Sequence, residues 1–422
     1  MRGPFATRWI LIVAPLVLAC GGSASPTDAA DLPDAATPVC GGPLSAPFAL
    51  PAFDWAQDNM QDLKCAMHAF DSVVSDARIV CSGESTHGIA ESWRIHAALA
   101  RHAILDLGFR GIAIELVSAD VDAFNAFVEG GDEADLTKGF AETRGTLANA
   151  LEQEQFYREL RNVRLELPAD QHLTLSGIDI AVQTKTTLGA LLAYMTEVQP
   201  DEAPNWETRL TQGSYADKAA AAAELVAELD ANQDVYLAAS SSAQWQRAKR
   251  DALNLEDGLN FLVFYTDNDF ATGNATYREP GLLRNLEAVI AASTNRVLLV
   301  AHAQHCAKDY VIGQKEDLSD SPSVGTAFAT AHPGTYSVIA QLYAEGSERQ
   351  LNQAAPAEFT ADGIERSLAE IAPGDQYAIA TSSTAYDFTQ PDYFRIWEDE
   401  EVPARQFDGL IWLRRVTPSH KR

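Results

Sequence analysis

Six ionisable side chains stand where short apolar runs end: Glu84 and His87, Glu115, Asp179, then His302 and His305. Imidazole and carboxylate together suit hydrolysis. A neutral imidazole takes a proton from water near neutral pH. A carboxylate hydrogen-bonded to it fixes its tautomer and raises its basicity. A second histidine, when protonated, can stabilise an oxyanion or protonate a leaving group. The chemistry implied is attack of activated water on an ester or lactone. For any one of these residues a structural role would suffice. Asp179 could cap the next segment, His305 could orient a neighbour, and Glu115 could pair with an arginine. Four strand ends of this kind in one chain favour chemistry.

The elements that must position them start with residues 77–115, which read strand, polar turn, helix, strand. Ile79, Val80 and Cys81 fit a buried strand. Gly83 and Gly88 bracket a turn that leaves Glu84 and His87 available. Ile89, Trp93, Ala97, Ala100, Ile104 and Leu107 then recur on one helical face, and Gly108 stops the helix. Gly111-Ile112-Ala113-Ile114 is the second strand. A βαβ unit requires parallel strands. In open α/β sheets ligands bind at the carboxyl edge. Further strands are predicted at 173–179, 296–301, 336–343, 377–381 and 410–413. Residues 53–75 read as a helix, with His68 a surface histidine. Residues 187–291 are almost wholly helical. The fold class expected is α/β: a mostly parallel β-sheet flanked by helices, with a largely helical insertion as a cap over the carboxyl edge.

Residues 1–19 read as a secretory signal peptide, with Arg2 and Arg8 before a short apolar run. Val17-Leu18-Ala19-Cys20 resembles a bacterial lipoprotein signal, with Cys20 the lipidated residue. Residues 20–46, rich in Ser, Pro, Ala and Asp, read as a tether. A catalytic domain over 47–422 follows. The expected location is outside the cytoplasm, held to a membrane by the lipid. Cys40 and Cys65 are the best disulfide pair, because that bond would pin the tether to the first helix. Cys81 and Cys306 read as free, packed thiols. The formal charge is −28, or −30 once Arg2 and Arg8 leave with the signal. Nucleic acid is therefore not a partner, since phosphate binding needs clustered Lys and Arg. The expected partner is a small-molecule ester or lactone, and the chain is expected to be a monomer.

GESTHG at 83–88, Glu91, Glu115 after an apolar strand and AHAQH at 301–305 resemble the erythromycin esterase family. That family carries G-E-x-x-H-G, a glutamate after the second strand, and H-N-x-H after a later one. Gly177-Ile178-Asp179, Arg278 with Asn285, Val324-Gly325 and Asp408 add to the likeness, which spans about residues 77–416. The resemblance implies His87 as the general base, Glu84 as its carboxylate partner, Glu115 as the second acid and His302 as the other essential histidine. It implies a site without metal or cofactor, with His305, Asp179, Arg278 and Arg94 around the substrate. Two positions depart from the pattern. His96 stands where the family usually has an arginine, for which Arg94 or Arg101 could substitute, and Ala303 replaces the asparagine of H-N-x-H. Three rivals remain. Ser85 could be a nucleophile on a strand–helix elbow, but His87 stands where that elbow needs a small residue. Glu84, His87, Glu115 and His302 could hold zinc or manganese in a metal-dependent hydrolase. The chain could also be a non-catalytic surface-binding lipoprotein, though a pure binder gains nothing from burying ionisable groups.

Overall fold

The computed structural model describes residues 40–422 apart from 43, 144–149, 183, 294, 312–320, 350–354 and 395–398. The expected signal segment, Cys20 and the tether up to residue 39 lie outside the described residues. Eleven strands are described: β1 Phe48–Ala49, β2 Ile79–Glu84, β3 Gly111–Val117, β4 Thr174–Asp179, β5 Val297–His302, β6 Tyr336–Glu348, β7 Ala357–Thr360, β8 Gln376–Ala380, β9 Asp392–Phe394, β10 Asp399–Glu401 and β11 Gly409–Val416.

Six of them form the parallel body of the sheet, in the order β4-β3-β5-β2-β6-β11. β8 joins β11, β1 joins β8 and β7 joins β6, each antiparallel. β9 and β10 make a separate small hairpin. Every residue of β2 and β3 is buried, as a parallel sheet covered on both faces requires. Val80, Ile112 and Val300 pack on one face, against the helices Ala90–Leu105 and Leu151–Glu166. Ile79, Cys81 and Leu299 pack on the other, with Leu282 and Leu286 of the helix Glu279–Ala292. The sheet is mostly parallel, as the βαβ reading required.

Register places the polar strand ends together. Glu84 stands opposite His302, and Asp179 stands opposite Val117. The β3–β4 register shifts between Ile114 and Val117, so Glu115 occupies the irregular step. The helices after β4 have a core of their own, with Leu191, Met195, Leu225 and Leu255 fully buried. That layer is tied to the sheet through Asn254. Its carbonyl accepts from Ala181 N–H at 3.0 Å, and its side chain accepts from Asn285 at 2.9 Å.

The helix expected over 53–75 is shorter and broken: Met60–Met67, a 3₁₀ turn His68–Phe70, then Asp71–Val74. Cys40 and Cys65 are disulfide-bonded, as the sequence suggested. Cys81 and Cys306 are not free thiols. They also form a disulfide, with Cα atoms 5.9 Å apart. The reason is strand order: β2 lies beside β5, and the turn Ala303–Cys306 folds back over β2. A Cβ on Gly83 would lie 3.0 Å from Ala303 Cα. This second bond staples the two arms that carry Glu84 and His302.

Candidate active site

The turn after β2 is built around backbone that only glycine permits. Gly88 has φ +80°, and a Cβ there would sit 2.0 Å from Arg349 O. The chain bends sharply and His87 comes back over the end of its own strand. His87 Nδ1 lies 2.7 Å from Glu84 Oε1. The His87 side chain keeps 27 % of its surface, whereas that of Glu84 keeps 9 %. His302 stands across from His87, with ring centroids 5.0 Å apart. Gln304 N–H donates to His302 Nδ1 at 3.3 Å, so a neutral His302 carries its proton on Nε2. A narrow crevice runs between Glu84, His87, Trp93, Glu115 and Leu116.

Behind the histidines lies a buried ionic network. Glu115 Oε2 accepts the His302 backbone N–H at 2.7 Å. Its Oε1 accepts from Arg278 at 2.8 Å and lies 3.2 Å from His305 Nε2. Arg278 comes from the π-helical turn Asn274–Arg278 and holds Asp179 through both Nε and Nη2, at 3.0 and 2.7 Å. His305 Nδ1 lies 2.6 Å from Glu279 Oε1, and Glu279 Oε2 accepts the Val324 N–H.

The charges follow from these contacts. Burial opposes the Glu84 anion, yet bonding to His87 and His96 outweighs it and takes the carboxyl down to about 2. Burial likewise opposes charge on His87, but the bond to Glu84 and the nearby carboxylates raise it above the ordinary imidazole value. His302 moves the other way. Burial, then the positive charge of its neighbour His87, lowers it to about 3, so it stays neutral. His305 is opposed by burial but raised to about 10 by Glu279 and Glu115. Glu115 is held well below the carboxylate range, despite burial, by His305 and Arg278. The sequence reading allowed for a protonated second histidine at the oxyanion. In the structure the cationic partner ring is His305, and His302 offers a neutral N–H.

The fold thus gathers His87, Glu84, Glu115, His302, His305, Asp179 and Arg278 at one edge. Arg94 is not among them. Its guanidinium bonds Gln57 O and Asn59 Oδ1 and stacks over Trp55. Arg101 turns to Glu159 and Glu166. The place near Glu84 belongs to His96 itself, fully buried, with Nε2 3.8 Å from Glu84 Oε2 and Nδ1 2.7 Å from Ser82 Oγ. Sequence reasoning missed His96 as a member of the site, and Glu279 also. His96 gave a signal: it lies on the helix that leaves the His87 turn, at a position too apolar in its surroundings for an idle imidazole. Glu279 gave none beyond its adjacency to Arg278.

A family model described as Erythromycin esterase matches residues 104–416, a span that holds Glu115, Asp179, Arg278, His302 and His305 and begins after Glu84 and His87. Among solved structures the chain is similar to a protein from Bacillus cereus, at 14 % identity and TM-score 0.69, over 90 % of this chain and 97 % of that one. It is similar to a succinoglycan biosynthesis protein at 14 % identity and TM-score 0.68, with the same 90 % and 97 % coverage. It is also similar to a mutant of erythromycin esterase EreC in its open conformation, at 16 % identity and TM-score 0.65, over 87 % of this chain and 96 % of that one. At such identities the structural likeness speaks for the fold alone.

Proposed function

The chain belongs to the erythromycin esterase family, whose membership suggests a hydrolase, and from that premise we propose that it cleaves a small-molecule ester or lactone with water activated by His87. The observation that carries this reading is the 2.7 Å contact between His87 Nδ1 and a buried Glu84 carboxylate. Glu84 accepts a hydrogen bond from Nδ1–H, which leaves Nε2 of His87 as the basic nitrogen. Water held at Nε2 loses its proton as its oxygen attacks the carbonyl carbon. The imidazolium formed is stabilised by Glu84 and then returns the proton to the leaving alkoxide. Neutral His302 donates from Nε2 to the developing oxyanion, a contact of the kind that is worth about a hundred- to a thousandfold in rate. Glu115 holds the His302 backbone N–H, and Arg278 offsets the charge of Glu115 and Asp179. Ser85 is almost fully buried, which favours water as the nucleophile.

The sign of the pH dependence follows. Protonated His87 cannot accept a proton, so kcat/KM should fall as pH drops through its pKa, which lies above 6.5. Glu84→Gln removes the charge that raises it, so the acidic limb should move to lower pH. The plateau kcat should fall by about 10- to 10⁴-fold, the span between a weakened and a lost orienting carboxylate. A pH–rate profile of both proteins tests this. An unmoved limb, or a rise in KM alone, would count against the assignment.

We propose further that the domain is exported and lipid-anchored through Cys20. Two disulfides support an oxidising compartment. Cys20→Ser should move the protein from the membrane pellet to the soluble fraction, and a mutant that still pellets would rule Cys20 out as the anchor.

A further inference from the structure

Two histidines and two aspartates meet at the far end of the helix Ala90–Leu105, about 18 Å along its axis from the catalytic turn. His68 and Asp71 come from the 3₁₀ turn and the short helix after it. His102 lies in the last turn of Ala90–Leu105, and Asp106 caps that helix. Asp71 takes one nitrogen of each ring: His68 Nδ1 at 3.0 Å and His102 Nε2 at 2.8 Å. The other two nitrogens, His68 Nε2 at 3.3 Å and His102 Nδ1 at 2.9 Å, both face one oxygen, Asp106 Oδ2. Lys64 Nζ takes the remaining oxygen of Asp106, Oδ1, at 2.8 Å. A neutral imidazole has a single N–H. With that N–H given to Asp71, two lone pairs face a carboxylate oxygen. One metal ion between them would satisfy all three atoms. The carbonyl end of a helix, where His102 and Asp106 stand, also favours a cation.

We propose that His68 Nε2, His102 Nδ1 and Asp106 Oδ2 bind one divalent transition-metal ion, zinc by the nature of the donors. The three atoms lie within 4.8 Å of one another. Two imidazole nitrogens and a carboxylate oxygen are a common zinc set, with a fourth position for water. Calcium and magnesium prefer all-oxygen sites. Asp71 is then the outer carboxylate that fixes both ring tautomers, an arrangement usual around metal-bound histidine. His102 is almost fully buried, whereas the His68 side chain keeps 33 % of its surface, so the site is braced on one side and open on the other. The Cys40–Cys65 disulfide anchors the helix that carries Lys64 and leads into His68. A Cβ on the adjoining Gly41 would lie 2.8 Å from His68 Cβ, so this segment packs directly on the ligand. The ion would tie the first helical segment to the helix of the βαβ unit. The site lies apart from the hydrolytic edge, at the other end of the helix Ala90–Leu105.

The test uses tag-free full-length protein, stripped with chelator and titrated with zinc chloride near neutral pH by calorimetry. One ion per chain is expected, together with a rise in Tm. Asp71→Asn should weaken binding about ten- to a hundredfold, as loss of an outer carboxylate does. His68→Ala, at a partly exposed position, should weaken it further and abolish the zinc-dependent rise in Tm. Absence of saturable binding up to about 1 mM zinc would overturn the proposal. Unaltered affinity in His68→Ala, or loss of binding in His302→Ala instead, would overturn it equally.

Discussion

His87→Ala should lower kcat/KM by about 10²- to 10⁴-fold, the usual worth of a positioned general base, while leaving Tm nearly unchanged. His87 sits in a turn whose geometry is set by Gly88 and not by the ring. Its side chain is the more open member of the Glu84 pair, so its removal opens no core cavity. Glu84 loses one partner but keeps His96 nearby at 3.8 Å. Steady-state kinetics on the purified mutant, beside a thermal melt, separate a catalytic loss from a folding one. Full activity, or a melt lowered in step with the rate, would remove His87 from the role of base.

Arg278→Met should have the largest effect on stability. The guanidinium is the shared cation of Asp179 and Glu115, both buried. Methionine fills similar space but leaves Asp179 with only the Ile180 N–H, and Glu115 with His305 and the His302 N–H. Breaking a buried pair by removing one partner costs about 3–5 kcal/mol, because the remaining charge is uncompensated. The midpoint of urea unfolding should fall accordingly. Activity should fall as well, since Glu115 holds the His302 backbone N–H at 2.7 Å. An unchanged midpoint would mean that the network is not what holds the edge together.

Much of the edge was legible because the chain punctuates it. Glu84, Glu115, Asp179 and His302 each end an apolar strand run, and helical crossovers force those strands to be parallel. Convergence then follows from topology alone. Partners set by three-dimensional adjacency were not legible. Cys81 and Cys306 are separated by 225 residues and meet only because β5 inserts beside β2. Arg278 reaches Asp179 across 99 residues from a π-helical turn, a local form with no clear sequence signature. Arg94 or Arg101 could have stood in for the missing arginine, yet Arg94 turns toward Trp55 and Asn59 and Arg101 toward Glu159 and Glu166. His68 read as a surface residue because its partners, His102 and Asp106, lie on another helix.

The most direct measurement is acid release, followed by pH-stat, from a panel of small esters and lactones incubated with the wild-type protein. At least one compound should be hydrolysed with saturable kinetics that disappear in His87→Ala. No acid release from any compound, with ligand binding intact, would contradict a hydrolytic role and make the buried Glu–His edge a binding site.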